Sequence, residues 1–85
     1  MPSKTVLVGS AVGLHARPAA IIAEAAGDLA SEVTLTVAGG EPVDASSALL
    51  IMTLGAAKGD SVEVAGHSES DVDTIAALVE KDLDA

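Results

Sequence analysis

The sequence contains no cysteine, so neither a disulfide bond nor a cysteine-based zinc site can hold the fold together. It also contains no phenylalanine, tryptophan or tyrosine. Its core must therefore be built from aliphatic side chains, each of which buries less apolar area than an aromatic ring. Because 85 residues are too few for two cores, we expect residues 1–85 to form a single domain.

Basic residues are also scarce: 4 lysines and arginines stand against 13 acidic residues, for a formal charge of −9. Nucleic acids and anionic membranes are bound chiefly through lysine and arginine, so this balance disfavours both. Apolar residues make up 49% of the chain but are too interrupted for membrane insertion. No basic cluster precedes an apolar run at the start, and we expect a cytoplasmic protein without an export signal.

The acidic residues are unevenly distributed. None occurs in residues 1–23 or in residues 45–59, which we call the first and second acid-free windows. Strands and buried helices avoid acids in any case, which is enough to explain either window alone. The first window, however, contains His15 and Arg17, the chain's only arginine, and this coincidence favours a functional explanation.

Aliphatic and alternating segments predict four strands, over residues 5–8, 33–37, 41–43 and 61–65. Gly39 and Gly40 predict a hairpin turn between the second and third strands. Pro42 has no N–H to donate to a ladder, so the third strand is expected at an edge of the sheet.

Three segments rich in helix formers predict helices over residues 16–26, over residues 45–54 and from Ser70 onward. Gly27 is expected to end the first helix, and Ser46 or Ser47 to cap the second, which Gly55 stops. Ser70 forms a capping-box pattern with Asp73. An apolar stripe then recurs at helical spacing, opposite Asp73, Glu80 and Asp84: Val72, Ile75, Ala76, Val79 and Leu83.

The resulting order, βαββαβα, predicts an α+β fold: an open-faced sandwich of one antiparallel sheet with helices packed on one face. The sequence shows no internal repeat and no linker.

A histidine lies immediately before the first predicted helix, in Gly13-Leu14-His15-Ala16-Arg17-Pro18-Ala19. The backbone N–H groups of Ala16 and Arg17 lack intrahelical partners there and can bind phosphate oxygens. The helix dipole adds about 0.3–1 kcal/mol for an anion at that end. The Arg17 guanidinium can fork onto phosphoryl oxygens in a geometry that lysine does not reproduce. Pro18 fixes the first turn.

Residues 13–19 resemble the active-site signature of the HPr family, the histidine-containing phosphocarriers of the phosphoenolpyruvate-dependent sugar phosphotransferase system. Residues 47–55 are similar to the family's second-helix segment, and the element order is also the family's, so the resemblance covers nearly the whole chain. It implies a four-stranded antiparallel sheet in the order 1-4-2-3 with three helices on one face.

The resemblance implies that enzyme I, drawing on phosphoenolpyruvate, phosphorylates His15 at Nδ1. The phosphoryl group then passes to a sugar-specific IIA domain, with Arg17 steadying it in both transfers. Such a protein is a covalent shuttle and not a turnover enzyme, it needs no cofactor, and we expect a monomer.

Partners would dock on the first two helices, which correspond to the acid-free windows. The apolar contacts expected there are Ala16, Ala20, Leu49 and Met52, although a core position is the alternative for Leu49 and Met52.

Some members of the family carry a regulatory phosphoserine at the start of the second helix, and Ser47, or alternatively Ser46, aligns with it. The N-cap is the other role for this serine, and Ala48 after it departs from the larger aliphatic residue typical of phosphorylated members. His67 has no cysteine or second histidine at ligand spacing, so no metal site is indicated.

Two other functions remain open from the sequence. One is a regulatory binding module of the nitrogen-related or catabolite-control type, whose partners would be transcriptional or kinase regulators. The other is an unrelated α+β domain whose helix end merely holds an anion. The pairing of His15 with Arg17 favours the carrier over the first, and only the resemblance of residues 13–19 and of the second-helix segment argues against the second.

Overall fold

The computed structural model describes residues 2–83 and contains one four-stranded antiparallel sheet with three helices. The elements follow in the order β1 (Ser3–Leu7), α1 (Ala16–Gly27), β2 (Val33–Val37), β3 (Val43–Asp44), α2 (Ala48–Thr53), β4 (Ser61–Gly66) and α3 (Glu69–Glu80). The strand order is β1-β4-β2-β3, which confirms the expected α+β topology. Among the described residues, no helix is long and apolar enough to cross a membrane.

The register of the sheet separates a buried face from an open one. Val6 of β1 lies opposite Val62 of β4, which in turn lies opposite Val37 of β2, and Val6 and Val62 are both buried. Because side chains alternate along a strand, Leu7 points away from the helices and is 58% exposed. The core on the helix side is made of aliphatic residues, as the absence of aromatic residues requires.

The hairpin between β2 and β3 forms where the glycine pair predicts it. Gly39 has a φ of 78°, and the Gly40 N–H donates to the Val37 carbonyl at 2.9 Å. β3 lies at the edge of the sheet, as expected, but it spans Val43–Asp44 and not residues 41–43. Pro42, which has no N–H to donate, lies just before the ladder.

β1, β4 and α1 differ from prediction only at their ends. β1 pairs from Ser3 to Leu7, not from Thr5 to Val8, and β4 extends by one residue to Gly66. Gly27 is expected just after the helix, but it is the last residue of α1, and Asp28 is the C-cap. The chain leaves the helix through Asp28, whose backbone is right-handed (φ −87°), so no left-handed glycine is needed there.

The second helix begins later than predicted. Ala45 lies outside it because its N–H donates to the Val33 carbonyl at 3.0 Å and its side chain is buried. Ser47, not Ser46, is the N-cap, and its hydroxyl accepts the Leu50 N–H at 3.2 Å. Gly55 follows the helix with a φ of 65°, which confirms it as the stop.

The capping-box prediction at Ser70 and Asp73 is wrong. The N-cap of α3 is Ser68, whose hydroxyl accepts the Asp71 N–H at 3.4 Å. The same serine-to-aspartate spacing occurs two residues earlier in the sequence, and β4 ends close enough to it to fix the earlier start. Leu83 lies beyond the helix but still packs against the core, whereas Asp84 lies outside the described residues.

Asp44 organises the turn into α2, and this generates a pH-dependent prediction. Its Oδ1 accepts the Ser46 hydroxyl at 2.7 Å and the Ser46 N–H at 2.9 Å, and these bonds hold the pKa of Asp44 below its ordinary value of 3.8. A lowered folded-state pKa contributes stability above the unfolded pKa, and that stability is lost as pH falls through the folded value. Ser46→Ala should therefore lower the free energy of unfolding at neutral pH and lose this effect in acid.

Urea denaturation at neutral pH and well below pH 3.8 measures this difference. The control is Ser61→Ala, which changes an exposed serine of β4. A Ser46→Ala effect of equal size at both pH values would show that the Asp44 carboxylate is not the acceptor that matters.

Candidate functional site

His15 is the N-cap residue of α1 and lies on the surface. Its backbone is extended, with φ −123° and ψ 162°, and its side chain makes no capping hydrogen bond. The flanking Leu14 and Pro18 are buried, so the backbone on either side is anchored while the imidazole is exposed. The ring is therefore presented to solvent on a fixed piece of chain.

The helix end next to His15 is suited to an anion. The first helical hydrogen bond runs from the Ala19 N–H to the His15 carbonyl at 3.4 Å, so the N–H groups of Ala16 and Arg17 precede the hydrogen-bonded ladder. The first turn of α1 contains no acidic residue. Helix N-termini of this kind bind phosphate through free N–H groups and the helix dipole.

Ala16 has a left-handed backbone, with a φ of 35°. It is the one residue other than glycine with a positive φ in the described part of the chain. Such a conformation costs an alanine about 1–2 kcal/mol and persists only where the surroundings fix it. The backbone between the imidazole and the helix is thus held in a geometry that a free peptide would rarely adopt.

Contacts between the two acid-free windows fix this geometry. The Leu14 N–H donates to the Ala56 carbonyl at 2.9 Å, and Gly13 lies so close to that carbonyl that a Cβ at position 13 would overlap it. Gly13 also has a φ of 75°, which favours glycine. The residues just before His15 are therefore fastened to the loop that follows α2.

The residues expected to contact partners are distributed over α1 and α2, which pack against each other. Ala16 and Ala20 are exposed on α1, as is Arg17. Leu49 on α2 is 71% exposed, so a core position for it is wrong. Met52 is half-buried against the core and keeps part of its surface free.

Other residues singled out by the sequence lie away from His15 or have structural partners. His67 is exposed in the bend after β4, and Ser47 is engaged as the N-cap of α2. Residues 2–83 contain no group of three or more histidine and acidic side chains that could hold a metal ion. Surface clefts of about 340 and 320 Å³ lie near the β2–β3 hairpin and are lined by neither His15 nor Arg17. His15, Ala16 and Arg17 themselves are all exposed.

Sequence reasoning missed two residues near the site. Val12 is 56% exposed in the loop before His15 and adds an apolar side chain to this surface. Ser10 is fully buried, although serine usually lies at the surface. Nothing in the local sequence marks either residue, since both depend on how the loop folds back on the rest of the molecule.

Comparison with known proteins agrees with this arrangement. A family model described as "PTS HPr component phosphorylation site" matches residues 2–81. The chain is 39% identical over 87 residues to a phosphocarrier protein HPr of Streptomyces coelicolor, covering 99% of this chain and 94% of that protein. A phosphocarrier protein HPr of Pseudomonas putida is 36% identical over 80 residues, covering 94% and 89%.

The fold agrees as well. The crystal structure of a phosphocarrier protein HPr from Bacillus anthracis superposes with a TM-score of 0.85 at 28% identity, covering 92% of this chain and 95% of that one. Family model, relatives and structure thus lead to the same assignment, a carrier and not a turnover enzyme. This chain belongs to the HPr family of phosphocarriers of the phosphotransferase system.

Proposed function

We propose that His15 is the residue on which this phosphocarrier holds its phosphoryl group, at Nδ1, and that residues 1–85 act as one carrier domain. The observation that carries the proposal is the exposed imidazole at the start of α1, with no capping bond to occupy it. The only other histidine, His67, lies in the bend before α3, where Ser68 already caps the helix.

The transfer proceeds in two displacements at the same atom. The Nδ1 lone pair of His15 forms a bond to phosphorus as the bond to the donor group of phospho-enzyme I breaks. A nucleophile of a sugar-specific IIA domain then attacks the same phosphorus, and the bond to Nδ1 breaks. The N–H groups of Ala16 and Arg17 and the Arg17 guanidinium bind the phosphoryl oxygens in both steps, where negative charge is spread over them.

Enzyme I and the IIA domain dock in turn on the face formed by α1 and α2. Its apolar members are Ala16, Ala20, Leu49 and Met52. The first acidic residue of the chain is Glu24, just after the first acid-free window. An apolar patch around the phosphoryl group excludes water from the interface and leaves Arg17 as its main cation. One surface serves both partners because His15 must face each of them.

We assign Ser47 a structural role. Its hydroxyl accepts the Leu50 N–H, and Ala48 follows it in place of a larger aliphatic residue. Ser46 likewise has a local partner in Asp44. We place the carrier in the cytoplasm as a monomer, where it would meet enzyme I and the IIA domains without a cofactor.

Replacing His15 tests the acceptor directly. With enzyme I and labelled phosphoenolpyruvate, the unaltered chain should gain an acid-labile, base-stable phosphate, and His15→Ala should gain none, because no other side chain at this helix end can take the phosphoryl group. His67→Ala is the matched control and should label fully. Labelling of His15→Ala, or its loss in His67→Ala, contradicts the proposal.

Replacing Arg17 tests the cation beside the phosphoryl group. Arg17→Ala should slow transfer by about a hundred- to a thousandfold, as expected when a donor to developing oxyanion charge is lost. The transfer rate of Arg17→Lys should lie between those of Arg17→Ala and the unaltered chain, since lysine keeps the positive charge but loses the forked hydrogen-bonding geometry of the guanidinium. Rapid-quench measurement of single-turnover transfer gives the rates, and circular dichroism should show an unchanged fold because Arg17 is exposed.

The control is Lys58→Ala, which removes an exposed lysine of the second acid-free window and should transfer normally. Equal rates for Arg17→Ala and the unaltered chain would remove Arg17 from the mechanism.

Replacing Leu49 tests the docking face. Leu49→Ala should raise the Kd for enzyme I by about tenfold, because a buried interface leucine contributes on the order of 1–2 kcal/mol. The control is Leu7→Thr, which changes an apolar side chain of similar exposure on the open face of the sheet. Calorimetric titration measures both affinities. If the two variants weaken binding equally, or only Leu7→Thr does, the docking face lies elsewhere.

A further inference from the structure

Ser10 is the one polar or charged side chain that is buried among residues 2–83, with an exposed fraction of 0%. It lies in the loop between β1 and α1, five residues before His15. A buried hydroxyl needs hydrogen-bond partners, since desolvation without them costs about 1–3 kcal/mol. The position of Ser10 therefore depends on what its hydroxyl contacts.

The Ser10 hydroxyl joins this loop to the segment that follows α3. It donates to the Lys81 carbonyl at 3.2 Å and accepts the Leu83 N–H at 3.0 Å. The neighbouring Gly9 N–H donates to the Val79 carbonyl at 3.1 Å, near the end of the same helix, where carbonyls lack intrahelical partners. Three hydrogen bonds thus fasten residues 9 and 10 to a segment about 70 positions away along the chain.

From Ser10 the connection continues through the backbone to the site. The Ser10 carbonyl accepts the Gly13 N–H at 2.9 Å, which closes a turn over residues 10–13. The next residue, Leu14, is 2% exposed and its N–H is bound to Ala56. His15 comes directly after it, followed by the left-handed backbone of Ala16. The site loop is therefore fixed at two places, by the loop after α2 and by Ser10.

We propose that Ser10 is a positioning residue for phosphoryl transfer at His15. Its hydroxyl holds the 10–13 turn against the end of α3, and the turn sets the direction in which the chain enters α1 and presents the imidazole. This inference rests on the proposed function of His15. Ser10 touches no phosphoryl oxygen, and its effect passes through the backbone to the imidazole and to the Ala16 and Arg17 N–H groups.

The test replaces Ser10 and compares the result with a matched loss elsewhere. Ser10→Ala removes both side-chain bonds. Ser31→Ala is the control, because the Ser31 hydroxyl donates to Asp71 Oδ2 at 2.7 Å and so also joins a loop to α3, but beyond the opposite end of α1 from His15. Both variants should lower the melting temperature, since Ser10→Ala loses two part-buried hydrogen bonds just after α3 and Ser31→Ala loses one to α3.

The transfer kinetics distinguish positioning from stability. Ser10→Ala should lower the maximal rate of phosphoryl acceptance from phospho-enzyme I by roughly three- to tenfold, because misplaced reacting groups lose orientation. Its KM should change little, because Ser10 is buried and is not itself part of the docking face. Ser31→Ala should keep the unaltered rate. In NMR spectra, the His15 imidazole resonances should shift in Ser10→Ala and not in Ser31→Ala, with His67 as an internal reference.

Several outcomes would overturn the inference. One is an unaltered maximal rate in Ser10→Ala with a lowered melting temperature, and another is equal slowing in both variants, since each would reduce Ser10 to a stability role. If Ser10→Ala fails to fold, Ser10→Cys keeps the shape of the side chain with a small increase in volume while weakening both hydrogen bonds, and an unaltered rate there is equally decisive. If His15→Ala still labels, the proposed function fails first. If it does not label and the Ser10 variants transfer normally, only this inference fails.

Discussion

The hydrogen bond from the Leu14 N–H to the Ala56 carbonyl joins the two acid-free windows, and the placement of His15 depends on it. Gly13 makes the approach possible because no other residue would fit against that carbonyl at a φ of 75°. Leu14 is itself buried, so breaking the bond would leave backbone groups unpaired at a cost of about 1–3 kcal/mol. The start of α1 is consequently fastened to the loop that follows α2.

The aliphatic core allows the loops around His15 to lie close to one another. Without aromatic rings, much of the packing falls on small and β-branched residues such as Ala19, Val62 and Val64, all fully buried. Small side chains let helices approach the sheet and each other closely, which shortens the distances that loop hydrogen bonds must span. The loop before α1 can then reach the loop after α2 and the end of α3 at once.

The sequence predicts this fold well where a local hydrophobic pattern agrees with the turn residues that bound it. β2 alternates perfectly and is followed by a glycine pair, and its bounds are those expected. Prediction fails where distant contacts decide. Ala45 lies outside the second helix because its N–H bonds to Val33. The N-cap of α3 is Ser68, two residues after the end of β4, although Ser70 has the same spacing to an aspartate. The same division holds at the site. His15 and Arg17 stand out in a local motif, whereas the left-handed Ala16 and the buried Ser10 exist only through long-range packing.

Charge distribution explains how so acidic a chain can carry a dianion. Along α1 the first carboxylate after His15 is Glu24, nine positions on, which corresponds to about 13 Å of helix. That separation exceeds the screening length of roughly 8–10 Å at ordinary ionic strength, so its repulsion on the phosphoryl group is weak. Arg17 is only two positions away, well inside that length. The net charge of −9 therefore acts chiefly on solubility and on distant encounters, while the arginine two positions away and the N-terminus of α1 both favour an anion at His15.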